Sequence, residues 1–266
     1  MCGPRPRDRL PTRGRRCGPC VVKRRSGVDD LAWCAADPHL SAGDPALPVF
    51  LAWLQDFERA GVPHLLLLGD LFQVWIALPG AQSPEQETVL AALSRLARNG
   101  RRVIYLAGNR DYFMEELARW SPVRVVDQWD LVTDGPTRIH FEHGDLINTS
   151  DGNYLRWREF SRARSVRRLF QLLPAERQLR LARRLEGRLA RTNAAYKAYF
   201  PAQELSAWAR RLKAGGVQSA VVGHFHLNRV IREEGVEIRF LPQFREEGVH
   251  LRVARDGAQT LHGVER

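Results

Sequence analysis

Four short apolar runs along the chain each stop at a polar cluster containing glycine. They are Leu65–Leu68 before Gly69-Asp70, Val103–Leu106 before Gly108-Asn109, Ile139–Phe141 before His143-Gly144-Asp145, and Ala220–Val222 before Gly223-His224. A fifth, weaker run, Leu31–Ala36, ends at Asp37. Runs this short, bounded by glycine, predict buried strands. Helical text lies between them. Leu47, Leu51, Leu54 and Phe57 recur at helical spacing. Ser83-Pro84-Glu85-Gln86 predicts a helix start, with Ser83 as N-cap, Pro84 in the first position and Gln86 closing a capping box. Leu90, Leu93 and Leu96-Ala97 continue one face until Asn99-Gly100 stops it. Strands alternating with helices predict an α/β layered domain.

The text changes at either end of this pattern. Residues 1–27 are rich in Arg, Gly and Pro with almost no periodicity, and the expectation there is a basic, disordered tail. No apolar core follows the basic start, so no secretory signal is expected, and an upstream misassigned start codon would produce the same text. Residues 28–266 form the expected domain. Within it, residues from about 153 to 200 read as a helical insertion between two strands. It contains two helices, roughly Tyr154–Leu172 and Ala175–Ala198, joined at Pro174. Leu169, Phe170, Leu172 and Leu173 are expected to cluster near the bend, and Leu179, Leu181, Leu185 and Leu189 to form an apolar face. Trp75 and Trp157 are expected in the core.

Charge sharpens the picture once it is located. The net +11 is concentrated in two patches. Residues 1–25 hold nine Arg or Lys against one Asp, and residues 156–191 hold twelve Arg against three Glu, so the remainder is mildly acidic. Such patches imply an anionic partner: a phosphate, a nucleic acid or a lipid surface. The longest apolar stretch, Ala46–Leu54, is far short of the ~20 residues of a membrane span. The four cysteines, Cys2, Cys17, Cys20 and Cys34, make no disulfide framework. Cys17-Gly18-Pro19-Cys20 lacks the preceding strand of a redox motif, so free thiols are expected.

The chemistry sits at the strand ends. Asp37 and His39 follow the first run, Asp70 the second, Asn109 the third, His143 the fourth, and His224 and His226 the last. Ligands of open α/β sheets bind outside the carboxyl ends of strands, so these seven side chains can converge. Seven oxygen and nitrogen donors suit two borderline divalent ions rather than one, with Asp70 able to bridge them. In Asp37-x-His39 and His224-x-His226 the paired residues would reach one side from extended backbone. No role is expected for His64, His140, His250 or His262. Asp111 is read as orienting Arg110 or capping a helix, and Asp145 as supporting His143.

Taken together, Asp37-Pro38-His39, Gly69-Asp70, Gly108-Asn109-Arg110-Asp111, His143-Gly144-Asp145 and Gly223-His224-Phe225-His226 resemble, in order and spacing, the five blocks of the calcineurin-like metallophosphoesterases. The resemblance covers residues from about 30 to 230. It implies a layered metallophosphoesterase β-sandwich flanked by helices, with an inserted helical cap. Asp70-Leu71-Phe72-Gln73-Val74-Trp75, Asn109-Arg110-Asp111-Tyr112-Phe113 and Asn148-Thr149-Ser150-Asp151 with Tyr154 further resemble the UDP-2,3-diacylglucosamine pyrophosphohydrolase family of lipid A biosynthesis. Pro38, Gln73, Phe225, Asn148 and Leu241–Phe244 depart from that pattern, and none of these departures removes a candidate ligand.

The resemblance implies Asp37, His39, Asp70, Asn109, His143, His224 and His226 as ligands of two Mn²⁺ ions. It implies Asn109, Arg110 and His224 as the groups that stabilise phosphoryl charge, and Asn109, Arg110, Asp151, Arg191 and Lys197 as substrate contacts. The products would be UMP and 2,3-diacylglucosamine 1-phosphate. The cap would hold acyl chains and meet an anionic membrane surface, placing the protein peripherally on the cytoplasmic face of a bacterial inner membrane. Arg110 bears on the reaction by itself. It keeps its proton and cannot act as a general acid, but it can clamp a phosphate. That suits a leaving group that needs no proton. Another nucleotide diphosphate or a phosphodiester remains open as substrate. So does a nucleic-acid-binding module with a vestigial site, although no stable nucleic-acid partner is expected.

Overall fold

The computed structural model describes residues 29–264, except 175, 179, 182, 183 and 185–199. The expected tail, Cys2, Cys17, Cys20, Arg191, Lys197 and most of the expected second cap helix lie outside the described residues.

All five predicted strands form, and two sheets organise them. In the first, β1 (Asp30–Ala36), β2 (His64–Leu68) and β4 (Arg102–Leu106) run parallel. β6 (Arg124–Val126) extends this sheet on one side, and the antiparallel β12 (Val249–Ala254) and β13 (Gln259–Gly263) on the other. The crossovers are the two predicted helices, α1 (Ala46–Ala60) and α2 (Pro84–Arg98). Ser83 caps α2 through a complete capping box with Gln86. In the second sheet, β8 (Arg138–Glu142), β9 (Ser219–Val222) and β11 (Val236–Phe240) run parallel between the antiparallel edge strands β7 (Gln128–Val132) and β10 (Arg229–Glu233). Two short strands, β3 (Trp75–Ile76) and β5 (Asp111–Tyr112), pair separately, and the one-turn helix α3 (Leu117–Trp120) follows β5.

Side-chain alternation builds the layers. Cys34, Ala36, Leu66, Leu68, Ile104 and Leu106 of the first sheet pack against Leu131, Ile139, Phe141 and Val221 of the second. Trp33, Ala35, Leu65, Leu67, Val103 and Tyr105 face the other way, onto α1 and α2. Phe50, Trp53, Leu54 and Phe57 of α1 are each almost fully buried, and burial of each such side chain contributes about 1.5–3 kcal/mol. On the far side, Leu205, Trp208 and Ala209 of α6 (Ala202–Ala214) cover Ala220, Val222, Val236, Ile238 and Phe240. The result is a β-sandwich with helices on both outer faces. β1, β2, β4, β8 and β9 all deliver their carboxyl ends to one rim.

The insertion departs from expectation in three ways. The predicted helix Tyr154–Leu172 is two helices, α4 (Gly152–Ser161) and α5 (Arg164–Gln171), broken at Arg162 and Ala163, where Ala163 turns extended (ψ 144°). Local helical spacing does not see such a break, which tertiary contacts impose. Phe170 and Leu173 do pack, with Val166, onto Tyr112 and Phe113, but Leu169 and Leu172 are 67% and 81% exposed. Trp75 is buried, whereas Trp157 is half exposed and lies beside the exposed Phe160, ring centroids 6.1 Å apart and planes tilted by 40°. Among the described residues no helix is long and apolar enough to cross a membrane.

Candidate active site

β1, β2 and β9 each stop where the residues that follow leave extended backbone. Asp37, His39, Asp70, His224 and His226 all take left-handed conformations, with φ between 44° and 62°. The paired side chains therefore converge through left-handed turns, not through the extended pleat expected from their spacing. Each such residue costs of order 1–3 kcal/mol, a cost that clusters at functional sites. The loops are stitched together by backbone bonds from His39 N–H to Asp70 O (3.0 Å) and from Trp75 N–H to Arg110 O (2.9 Å).

All seven predicted donors meet at this rim. Asp37, His39 and His226 form one group, and Asp37, Asp70 and His143 a second. Asp37 Oδ1 lies 3.4 Å from His226 Nε2 and 3.8 Å from His39 Nε2. Its Oδ2 accepts the backbone N–H of His224 at 2.8 Å. Asp70 faces both groups: Oδ2 is 4.0 Å from His39 Nε2, and Oδ1 is 3.8 Å from His143 Nε2. Asn109 Oδ1 sits 3.0 Å from both His143 Nε2 and His224 Nδ1. His143 Nδ1 donates to Leu68 O at 2.7 Å, which turns Nε2 toward the cluster, where its lone pair becomes available to a cation once the ring gives up its second proton.

Glycines make room for this crowding. A Cβ on Gly108 would come within 2.4 Å of Asp70 Oδ1. One on Gly69, whose φ is +73°, would come within 2.6 Å of His143 Nδ1.

The residues fit a divalent centre. Asp37 Oδ1 is buried without a hydrogen-bond partner, and His39 Nε2 and His226 Nε2 face each other at 3.4 Å. A shared proton can satisfy one such contact, whereas a cation that takes a lone pair from each donor satisfies all of them. Burial and the nearby Asp111 and Asp37 charges push Asp70 up to about 7, against the pull of His143 and Arg110. Burial lowers His143, but Asp70, Asp37 and Asp145 outweigh it and lift the imidazole to about 9. Burial and the His143 charge lower His224 to about 4. At neutral pH the cluster thus holds a proton that a bound cation would displace.

Arg110 is buried beside the second group. Its backbone N–H donates to Asp70 Oδ1 at 2.8 Å, and its Nε is 3.5 Å from Asp70 Oδ2. One guanidinium nitrogen donates to both the carbonyl (3.1 Å) and the side-chain oxygen (3.0 Å) of Gln73. Gln73 in turn donates to His39 O at 3.1 Å. Asp111 is structural. Its Oδ2 accepts from Gly108 N–H (2.7 Å), Tyr105 O–H (2.8 Å) and Asp70 N–H (3.1 Å). Asp145 accepts from Arg158 Nε at 3.0 Å and from the Tyr154 hydroxyl, and its charge acts on His143. Asp151 is the N-cap of α4, accepting Tyr154 N–H at 2.9 Å. Sequence reasoning assigned no role to Gln73, although it lies three residues after Asp70 in the same loop. It also passed over Arg162, one of twelve arginines in its segment with nothing local to mark it.

A family model described as calcineurin-like phosphoesterase matches residues 32–228. The chain is 32% identical over 228 residues to the UDP-2,3-diacylglucosamine hydrolase of Ralstonia nicotianae, spanning 82% of this chain and 85% of that protein. It is 28% identical to the protein of the same name from Sodalis glossinidius (88% and 95% covered). It is 26% identical to that of Neisseria meningitidis serogroup B (85% and 95% covered).

Proposed function

The chain belongs to the calcineurin-like phosphoesterase family, and from that membership we propose that it is a metal-dependent hydrolase of the pyrophosphate in UDP-2,3-diacylglucosamine. The products are UMP and 2,3-diacylglucosamine 1-phosphate. One observation carries the reading: Arg110, fixed by Asp70 and Gln73, stands beside two donor groups that share Asp37. We assign Asp37, His39, Asp70, Asn109, His143, His224 and His226 as ligands of two divalent ions, Mn²⁺ being the preferred metal. When bound, such ions polarise phosphoryl oxygens and acidify water.

The protein's own groups do the rest. Leu68 O holds the His143 ring in one tautomer. The guanidinium of Arg110 binds a phosphoryl group and stays protonated, so it cannot hand a proton to the leaving oxygen. Pyrophosphate cleavage makes no such demand, because the departing phosphate monoester has a second pKa of about 6. A phosphomonoesterase expelling an alkoxide would need an acid here. This is what favours the nucleotide-lipid substrate that the relatives' names describe.

The cap suits the lipid half. Trp157, Phe160, Leu169 and Leu172 are exposed, and the exposed Arg156, Arg164 and Arg168 stand among them. An amphipathic surface of this kind binds anionic lipid through both terms, which supports a peripheral position on the cytoplasmic face of an inner membrane. Asp151, Arg191 and Lys197 are proposed as further substrate contacts.

The test is Mn²⁺-dependent release of UMP from UDP-2,3-diacylglucosamine by wild type, Asp70→Ala and Arg110→Ala. Release by wild type and its loss in both variants is the expected result. A wild type that cleaves a simple phosphodiester but not the UDP-lipid would keep the phosphoesterase and overturn the substrate.

A further inference from the structure

We propose that Arg162 is a positioning residue that fastens the loop bearing Asn109 and Arg110 to the α4–α5 junction of the helical cap, so that this one contact sets the geometry of the phosphate-binding residues. The proposal rests on the reading of Asn109 and Arg110 given above, and it assigns a task to a residue outside the metal cluster.

Arg162 stands at the break between α4 and α5. Its guanidinium presents one edge to the loop. Nε donates to Asp111 O at 3.1 Å, and the adjacent terminal nitrogen donates to Gly108 O at 2.7 Å. These two carbonyls bracket Asn109 and Arg110. The cation also lies 5.4 Å from the centroid of the Tyr112 ring, the next residue along. A planar fork holding two carbonyls and resting on an aromatic face constrains both distance and orientation, which a lysine ammonium would not reproduce. The interruption of the helix at residues 162–163 is where this fork leaves the cap.

The cap has separate anchors further along. Phe170, Val166 and Leu173 pack on Tyr112 and Phe113, and Arg167 pairs with Glu115 (2.8 Å) and Glu116 (2.7 Å). Those contacts hold α5 to residues after the loop. Arg162 holds the loop itself. Asn109 Oδ1 depends on that hold for its 3.0 Å contacts with His143 and His224, and so does the Arg110 N–H bond to Asp70. Misplacement of catalytic groups by about 1 Å can cost 10²-fold in rate. A displacement of the α4–α5 junction therefore reaches the reacting centre through Arg162.

The experiment uses the full chain with Arg162→Ala and, as a control on cap anchoring, Arg167→Ala. Amide hydrogen exchange is followed in metal-free protein over residues 105–117, and kcat and KM for UMP release are measured in Mn²⁺-saturated protein. Arg162→Ala is expected to lose protection within 108–112 while the strands keep theirs. Its kcat is expected to fall about ten- to a hundred-fold, with KM changed less than about threefold, and guanidinium in solution, but not methylammonium, should restore part of the rate. Arg167→Ala should leave both the 108–112 protection and kcat near wild type. Unchanged exchange at 108–112 in Arg162→Ala overturns the proposal. So does a loss that appears equally in Arg167→Ala, or a defect confined to KM, which would make Arg162 a substrate contact. If wild type releases no UMP, the substrate reading fails, and the exchange data alone decide whether Arg162 holds the loop.

Discussion

Asp111 gives the sharpest test of how the site is held together, because one oxygen does the work. Oδ2 accepts from Gly108 N–H, Tyr105 O–H and Asp70 N–H at 2.7–3.1 Å. Asp111 and Tyr105 are both fully buried, so water does not replace the acceptor without opening the fold. Asp111→Ala strands three donors. A buried donor left unsatisfied costs about 1–3 kcal/mol, and partial relaxation brings the expected total to about 3–5 kcal/mol. For a domain of this size about 2–4 °C of Tm accompanies each kcal/mol, so the Ala variant should melt about 6–20 °C lower. Asp111→Asn keeps a carbonyl oxygen whose two lone pairs can accept two of the three bonds and should melt clearly above the Ala variant. The assay is thermal unfolding followed by circular dichroism with a chelator present, so that metal binding adds nothing to apparent stability. An Ala variant melting within about 3 °C of wild type would refute the hub. An Asn variant as unstable as the Ala variant would show that the carboxylate charge matters, not its capacity to accept hydrogen bonds.

Gln73→Leu removes both the side-chain acceptor of Arg110 and the donor to His39 O, while Gln73→Glu keeps the acceptor and loses only the bond to His39 O. A hydrogen bond to a charged group is worth about 1.5–3 kcal/mol, so kcat/KM should fall at least about tenfold for Leu and much less for Glu; equal losses in the two variants would remove Gln73 from the positioning of Arg110. His140, on β8 three residues before His143, tests an electrostatic feature outside the donor set. Burial lowers its pKa, but Glu142 (3.2 Å) and Asp130 (2.7 Å) outweigh burial and raise it above the ordinary 6.5. The stabilisation from that cation is complete below the unfolded value and is lost as pH rises through the folded one. Urea unfolding at pH 6 and pH 9 should therefore show wild type ahead of His140→Gln at the lower pH and the gap narrowing at the higher; a gap constant with pH would contradict it.

The sequence by itself determined the elements whose signals are local. Apolar runs bounded by glycine became β1, β2, β4, β8 and β9, because a strand buried on both faces needs apolar side chains throughout and a break at its end. Ser83 and Gln86 marked the start of α2 because capping is settled within four residues. The seven donors could be picked out because each follows such a run directly, and topology brings those strand ends to one rim. The strands β3, β5, β6, β7, β10, β11, β12 and β13 and the helix α6 went unread. β7 and β10 are half-exposed edges whose polar residues blur the pattern, and the burial of the others depends on partners distant in the chain.

Tertiary structure alone decided the rest. That Trp157 would be exposed and Trp75 buried depends on what lies opposite each ring, which composition does not encode. The left-handed turns at Asp37, His39, Asp70, His224 and His226 are conformations that isolated residues avoid, and they persist because packed loops hold them. The union of Asp111 with Tyr105 and Asp70, the grip of Gln73 on Arg110, and the reach of Arg162 across 51 and 54 residues to two loop carbonyls are likewise choices among many possible partners. A hydrogen bond between groups far apart in sequence leaves no periodicity behind. Its energy is realised only after the chain has folded and excluded water from the contact.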